Sequence, residues 1–263
     1  MHGQFEQHVV PHLPVGPSHQ VAPVVKGLWR GRLAENAMDR AAALELRSAQ
    51  FRDGDVDEDA LDEVCRHVLV EPVDGGPPVA TFRFLHLSDG AGIALTYSAQ
   101  FYDLGRMKDY DQPVLEIGRF CTQDGIVDGD VLRVGWAVLT RYVDAYGIGI
   151  MFGCSSFPGN DVSIYRDGLA LLKERYLAPE RWRPGIKAAE TAKYSEMFMD
   201  YKPTLKAANQ QLPSLLRTYL TMGGWVSDHA VIDRDLGTFH VFTGVEISAI
   251  PETRKRLLRA DAA

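Results

Sequence analysis

An amphipathic helix pattern between two apolar strand patterns most constrains how this sequence can fold. Within VLRVGWAVLTRYVDAYG, four apolar residues recur at helical spacing and form one stripe: Leu132, Trp136, Leu139 and Val143. The helix pattern is preceded by PVLEIGRFCT and followed by IGIMFGCSSF, both of which read as strands. A helix with a single apolar stripe buries it against a sheet. The order therefore predicts a layered α/β fold with a mixed sheet.

The other elements fit the same arrangement. Asn36 is a predicted N-cap for the helix AMDRAAALELRSAQF, and a strand is expected from Val24 to Ala34. Three more strands are predicted in HVLVEP, PVATFRFLHL and GIALTYSAQF. Later elements are a helix from Asp161 to Glu174, a helix in LPSLLRTYLTMGG, and strands around Val231 and Val241.

Domain organisation follows from where these patterns begin. Residues 1–23 hold four histidines and four prolines without periodicity, which predicts a mobile leader rather than a metal-binding tract. We expect residues 24–263 to form a single domain, with a C-terminal extension from about residue 179.

Composition excludes several classes of protein. The chain has 263 residues, 46% hydrophobic and 24% charged, with a net charge of -7, which is typical of a globular protein. The acidic balance argues against an indiscriminate nucleic-acid binder. No apolar run approaches the roughly 20 residues that span a bilayer, and no secretory signal pattern is present. Reduced cysteines in the cytoplasm are the simplest account of Cys65, Cys121 and Cys154.

Familiar catalytic motifs are missing. The sequence contains no metal-ligand spacing such as C-x-x-C or H-E-x-x-H, no Walker A loop and no dinucleotide-binding glycine motif. The stretch GCSSFPG departs from the G-x-S-x-G spacing of a nucleophile elbow. Any chemistry must therefore come from side chains that meet only in the fold.

Polar residues inside apolar strands are the best candidates. In LEIGRF, Glu116 and Arg119 flank Gly118, which can bulge the strand and expose backbone N–H groups to a developing oxyanion. Glu116 could take a proton from an attacking amine. The alternative is an ion pair of Glu116 with Arg119 or Arg83 that only fixes the strands.

A second group of charged residues precedes the strands. Asp59 and Asp62 are three residues apart, so they share one face of a helix, with a solvated acidic face as the alternative. Arg83 alternates with Phe82 and Phe84 along its strand and points away from them.

The segments carrying these residues resemble one family when taken in order. They are ALELRSAQF, DEDALDEVCRHVLV, VATFRFL, LEIGRFC, YGIGIMFGCSSFPG and LPSLLRTYLTMGGWVSDHAVIDRDLGTFHVF, and they extend from about Leu33 to about Val245. The sequence resembles the bacterial ornithine-acyl-carrier-protein N-acyltransferases of ornithine lipid biosynthesis. That family belongs to the GNAT superfamily and is related to acyl-homoserine-lactone synthases.

The resemblance implies a fold, a reaction and a set of site residues. The fold would be a GNAT-like mixed, largely antiparallel central sheet flanked by helices, with a C-terminal α+β extension. The reaction would move a fatty or 3-hydroxy fatty acyl group from acyl-carrier protein to the α-amine of L-ornithine, giving lyso-ornithine lipid. Glu116 and Arg119 would be catalytic, and the substrate-binding residues would be Arg47, Phe51, Asp59, Asp62 and Arg83.

One departure bears on the acyl donor. GNAT enzymes that use coenzyme A carry a glycine loop at a helix N-terminus that holds a pyrophosphate. The corresponding stretch here, TQDGIVDGDVLRV, misses that spacing and adds three aspartates. This favours the 4'-phosphopantetheine arm of acyl-carrier protein as donor, with no other cofactor and no metal.

Two other functions stay open from the sequence. One is an acyl-homoserine-lactone-type synthase, which would need an adenosylmethionine pocket. The other is a non-catalytic module that binds acyl-carrier protein or lipid. In each case a cytoplasmic protein is expected, with peripheral contact at the inner membrane as an option and no nucleic-acid partner.

Overall fold

Most of the β-structure in residues 21–263, the part of the chain described by this computed structural model, belongs to one sheet of nine strands. In chain order the strands are β1 Val24–Lys26, β2 Trp29–Leu33, β3 Arg66–Pro72, β4 Ala80–Leu87, β5 Tyr102–Asp103, β6 Val114–Thr122, β7 Ile150–Pro158, β8 Gly185–Ile186, β9 Thr191–Ala192, β10 Trp225–Asp233 and β11 Thr238–Glu246. The large sheet has the order β1-β2-β3-β4-β6-β7-β11-β10-β9, and β5 pairs with β8 separately.

Seven α-helices accompany these strands in the described residues. They are α1 Ala37–Phe51, α2 Gly129–Tyr146, α3 Arg166–Arg175, α4 Tyr194–Met197, α5 Leu205–Gln211, α6 Ser214–Thr221 and α7 Glu252–Asp261. The predicted layered α/β architecture is confirmed. Most of the predicted leader, residues 1–20, lies outside the described residues.

One strand pair differs from all the others in direction. Every pairing is antiparallel except that of β6 with β7, which is parallel and reaches only from Val114 opposite Ile150 to Glu116 opposite Phe152. Helix α2 provides the connection that a parallel pair requires. The sheet is therefore mixed and largely antiparallel, as predicted. Strands β10 and β11 continue it beyond β7.

Helix α2 packs on the sheet through the predicted stripe. Trp136, Leu139 and Val143 are buried in one cluster with Phe82 and Phe84 of β4. Each fully buried side chain of this size contributes about 1.5–3 kcal/mol, so the stripe fixes α2 to the sheet.

Two predicted strands are wrong. The segment from Val24 to Ala34 is a hairpin rather than one strand, because Gly27 turns the chain with φ +56°. The stretch GIALTYSAQF forms two short 3-10 turns, Gly90–Leu95 and Ser98–Gln100, and contributes no strand to the large sheet. Gly90 lies so close to the next loop that a Cβ would stand 1.9 Å from the carbonyl oxygen of Met107. This close packing folds the segment back on itself.

Candidate active site

A cavity of about 300 Å³ lies where β6 and β7 diverge. It is lined by Phe51, Leu61, Cys65, Arg83, Tyr97, Glu116, Ile117, Gly118, Arg119, Phe120, Gly153, Cys154, Ser155, Ser156, Pro213, Leu215, Leu216, Tyr219, Asp233, Leu236, His240 and Thr243. Neighbouring strand residues such as Glu116 and Ile117 point to opposite faces of a sheet. The cavity therefore reaches both faces through the gap between the two strands.

The gap has a local cause in each strand. Pairing between β6 and β7 stops after Glu116 and Phe152. At Gly153 a Cβ would stand 2.2 Å from the carbonyl oxygen of Ile117, so the backbones approach there in a way that only glycine allows. Beyond this point the facing edges of β6 and β7 have no strand neighbour, and their backbone N–H and C=O groups are open to a ligand.

The predicted bulge of β6 is confirmed by the strand register. Thr81 pairs with Cys121 and Arg83 pairs with Gly118, so β6 has one residue more than β4 between these pairs. The left-handed residue is Arg119, with φ +53°, rather than Gly118. A non-glycine residue in this conformation is strained and is typical of functional sites.

Glu116 is held rigidly at the edge of the cavity. Its side chain accepts hydrogen bonds from the backbone N–H of Tyr97 at 2.8 Å and of Ser98 at 2.7 Å. The residue is 5% exposed, and burial raises the pKa of its carboxyl above the usual range. No ion pair joins Glu116 to Arg83 or Arg119 in residues 21–263, so the alternative role that the sequence left open is not observed.

Buried charges surround the cavity on the side of α1. The guanidinium of Arg47, which is 0% exposed, lies with its Nε 2.9 Å from Asp57 Oδ2 and also forms an ion pair with Asp62. Arg83 binds Asp59 through two hydrogen bonds of 2.6 and 2.7 Å and reaches Asp62 at 2.6 Å. Paired charges of this kind are costly to bury, and they persist because each has several partners.

Asp59 and Asp62 occupy a turn rather than an α-helix face. Asp59 is the N-cap of the 3-10 turn Ala60–Glu63, and the side chain of Asp62 accepts from the backbone N–H of Asp59 at 2.9 Å, which makes a capping box. Asp62 is buried, so the alternative of a solvated acidic face is wrong for it. The side chain of Asp59 remains 33% exposed.

Arg119 and Phe51 both line the cavity. The Nε of Arg119 lies 3.1 Å from Asp57 Oδ2, and its guanidinium stands over the ring of Tyr97, 5.1 Å from the centroid. Phe51 ends α1 and lines the cavity. Six of the seven residues singled out from the sequence thus line the cavity or pair with a residue that does, and Arg47 is connected to it through Asp57, which also binds Arg119.

Several site residues were missed from the sequence. Asp57 binds both Arg47 and Arg119, yet it lies in the acidic stretch DGDVDEDAL, where nothing distinguishes it from its neighbours. Asp233 and His240 line the cavity from β10 and β11. They are polar residues in apolar strands, so the criterion that selected Glu116 would have found them too.

The N-terminus of α2 is capped by the protein itself. The carboxylate of Asp128 accepts from the backbone N–H of Asp130 at 2.9 Å and from the indole of Trp29 at 2.7 Å. Asp124 and Asp130 add further negative charge close in sequence to this helix N-terminus.

Three further observations concern the cysteines, the grouping of metal-binding side chains and the lengths of the helices. The three cysteines are free, and burial raises the pKa of Cys154 in the cavity to about 12, far from a thiolate nucleophile. Within residues 21–263 no three histidine, cysteine or acidic side chains gather as a metal site. In the same range, no helix is long and apolar enough to span a membrane.

Curated relatives share most of this chain. It is 30% identical over 204 residues, 74% of this chain and 71% of the relative, to an L-ornithine N(alpha)-acyltransferase of Brucella abortus. The chain belongs to the L-ornithine N(alpha)-acyltransferase family. The family protein of Rhodobacter capsulatus is 29% identical over 245 residues, which cover 85% of this chain and 92% of that protein.

One domain profile and one solved structure also match this chain. A profile of acetyltransferase (GNAT) domains matches residues 41–137, which include most of α1, all of β6 and the charged cluster of Arg47, Asp57, Asp59, Asp62, Arg83 and Arg119. Among solved structures, an N-acyl amino acid synthase from uncultured soil microbes aligns with a TM-score of 0.45 and 9% identity, over 86% of this chain and 93% of its own.

Proposed function

We propose that this protein transfers a fatty acyl group from acyl-carrier protein to the α-amine of L-ornithine and forms lyso-ornithine lipid. The observation that carries the proposal is a cavity that joins a fixed carboxylate, Glu116, to the bulged and unpaired edge of β6. Membership of the L-ornithine N(alpha)-acyltransferase family supports ornithine as the amine.

In this proposal, Glu116 acts as the base. An amino acid arrives as an ammonium ion and must lose a proton before its nitrogen can attack a carbonyl carbon. Burial raises the pKa of Glu116 and so brings its basicity closer to that of the amine. Two backbone N–H bonds, one to each oxygen, hold the carboxylate in one orientation.

The remaining steps use the open edge of β6. The neutral amine attacks the thioester carbon, and the carbonyl oxygen becomes an oxyanion that backbone N–H groups at the bulge stabilise. The tetrahedral intermediate then collapses: the C–S bond breaks, the pantetheine sulfur leaves as a thiolate, and the nitrogen gives its extra proton to that thiolate as the amide forms. A thiol has a pKa near about 8.5, so the leaving thiolate needs little help from an acid.

The charged cluster positions the substrate rather than reacting with it. Arg119 reaches the cavity from the bulge and is our candidate to bind the ornithine carboxylate, since a guanidinium pairs well with that group. Three other charged residues hold Arg119 and Asp59 in place: Arg83, Arg47 and Asp62. Asp62 could bind the amine directly only by giving up its arginine partners, so we assign it a supporting role.

The proposed donor follows from the N-terminus of α2. The Asp128 carboxylate accepts from the backbone N–H of Asp130 there, and nearby aspartates would repel the pyrophosphate of coenzyme A. The phosphopantetheine arm of acyl-carrier protein lacks a pyrophosphate. The product is a single-chain amphiphile, so we include peripheral contact with the inner membrane of a cytoplasmic enzyme in the proposal.

A mass-spectrometric transfer assay tests this function. Purified protein meets 3-hydroxyacyl-carrier protein, or the same acyl group on coenzyme A, with ornithine, lysine, glutamine or adenosylmethionine. We expect acyl-ornithine from the carrier-protein donor at a rate at least about tenfold above that from coenzyme A. Product only from adenosylmethionine would favour a lactone synthase. Carrier binding without any product would favour a non-catalytic module.

A further inference from the structure

Within residues 21–263, two polar side chains of the cavity have binding capacity that the protein does not use: Asp233 pairs with no cation, and Nε2 of His240 has no hydrogen-bond partner. Asp233 is 8% exposed and His240 is 1% exposed, and both line the cavity that holds Glu116. Neither was singled out in the sequence, and the proposed acyl transfer uses neither. Buried polar groups are almost always paired, so unpaired ones at a cavity indicate a ligand.

Asp233 is a carboxylate without a cation. Its Oδ1 accepts the backbone N–H groups of Asp235 at 3.1 Å and Leu236 at 3.0 Å, which fixes the side chain in the turn after β10. No lysine, arginine or histidine forms an ion pair with Asp233 in residues 21–263. The carboxylates of Asp57, Asp59 and Asp62, by contrast, are each bound by arginine.

One ring nitrogen of His240 has no hydrogen-bond partner within residues 21–263. The hydroxyl of Tyr102 donates its only proton to the backbone carbonyl of His240 at 2.9 Å and lies 3.1 Å from the ring Nδ1. The ring Nδ1 must then donate to the phenol oxygen, which leaves Nε2 as an acceptor. Nε2 is buried and has no hydrogen-bond partner. Burial lowers the pKa of His240 to about 4, so the ring is neutral near pH 7.

The strand register brings these two groups together. Asp233 pairs with Thr238, and His240 lies two residues further along β11, so both point to the same face of the sheet. Such diagonal neighbours stand about 7–8 Å apart at the backbone, close enough for both side chains to contact one small group. A carboxylate and a neutral acceptor together suit a primary ammonium, which has three donors and a positive charge.

The same face also carries the proposed base. Glu116 lies beside Phe152 on β7, and Ser156 of β7 lies beside His240. Four residues along the strands and two inter-strand spacings separate Glu116 from His240, a backbone distance of about 16 Å. Side chains from both ends shorten that distance, so a substrate with an amine at each end can contact Glu116 and the Asp233–His240 pair together.

We infer that Asp233 and His240 bind the side-chain ammonium of a diamino acid while its α-amine faces Glu116. The inference rests on the proposed function and adds to it the residues that select a diamino acid over a neutral one. The carboxylate of Asp233 supplies a negative charge, and Nε2 of His240 accepts a hydrogen bond from the ammonium group. Both are binding residues and take no part in the proton transfer.

Norvaline is the matched test substrate, because it is ornithine without the distal amine. We measure transfer from acyl-carrier protein to each amino acid, and binding of each by calorimetry, for wild type, Asp233→Asn and His240→Phe. Removing a buried partner of a charge costs about 100-fold. We expect Asp233→Asn to lower kcat/KM for ornithine by about that factor, mainly through KM, and to change norvaline transfer less than about threefold.

Asp235→Asn is the control, since Asp235 lies in the same turn but has a 74% exposed side chain that pairs with Arg52. It should leave ornithine binding unchanged. Equal losses for ornithine and norvaline in Asp233→Asn, or unchanged ornithine binding in both cavity variants, would overturn the inference. Failure of the wild type to acylate any amine would instead refute the proposed function, and ornithine binding by calorimetry would still test the subsite.

Discussion

Replacing Arg47 with methionine tests how much the buried ion pairs of Arg47 contribute to the stability of the charged cluster beside the cavity. Methionine is unbranched like arginine but shorter and uncharged, so the substitution fills part of the space while removing the shared partner of Asp57 and Asp62. Arg47 is fully buried between these two carboxylates, and neither can reach bulk water without local unfolding. The variant therefore leaves negative charge in the interior with fewer partners.

The magnitude follows from what remains. Removing one partner of a buried ion pair typically destabilises a protein by about 3–5 kcal/mol. Asp62 keeps Arg83, and Asp57 keeps Arg119 and the more distant Arg52, so we expect the lower end, about 3 kcal/mol. For a protein of this size, that free energy lowers the melting temperature by about 6–12 °C.

Urea unfolding followed by tryptophan fluorescence measures the effect. Arg40→Met is the control, because Arg40 lies on the same helix and pairs with Glu58 at the surface, where the two side chains are 33% and 44% exposed. Exposed pairs contribute about 0–1 kcal/mol, so this variant should barely change the free energy of unfolding. Similar losses in both variants would refute the idea that burial makes the Arg47 ion pairs important.

Two further predictions concern the same region. For Asp62, burial raises the pKa, but the hydrogen bond from Arg47 and the charge of Arg83 outweigh it and lower the pKa to about 2. A lowered pKa stabilises the folded state by about 2 kcal/mol above about pH 4, a contribution lost as the pH falls towards about 2. Because other carboxyl groups also have lowered pKa values, both wild type and Asp62→Asn should lose stability in acid, but the loss across this range should be about 2 kcal/mol larger in wild type. Gly153→Ala should cost about 1–3 kcal/mol and widen the strand gap, since its methyl group would meet a carbonyl oxygen at 2.2 Å. Gly118→Ala, which has open space around it, should leave the melting temperature nearly unchanged, and equal effects of the two would contradict this account.

Local signals explain what the sequence predicted well. The bounds of α1 follow from the Asn36 cap, whose side chain accepts from the backbone N–H of Asp39. Strand β6 and its bulge follow from a glycine beside charged residues in an apolar run. The resemblance to a family then selected residues that the fold brings around one cavity.

Long-range register explains what the sequence left out. The gap between β6 and β7 depends on a parallel pairing of only three residue pairs, which no local pattern encodes. The loop that presents the backbone N–H groups of Tyr97 and Ser98 to Glu116 reads as a strand because its apolar residues alternate. Asp233 and His240 meet only because β10 and β11 pair in one register.

The most direct test of the account is the pH dependence of acyl transfer in Glu116→Gln. A general base contributes about 10²–10⁴-fold, so the variant should lose at least about 100-fold in kcat with carrier-bound acyl group and ornithine. Because the wild-type base works only when deprotonated, its rate should fall as the pH drops through the raised pKa of Glu116, and the variant should lack this fall. Circular dichroism and melting temperature check folding. Glu71→Gln, which changes a buried glutamate outside the cavity, gives the matched control. A folded Glu116→Gln protein with near wild-type kcat and an unchanged pH profile would contradict the central claim.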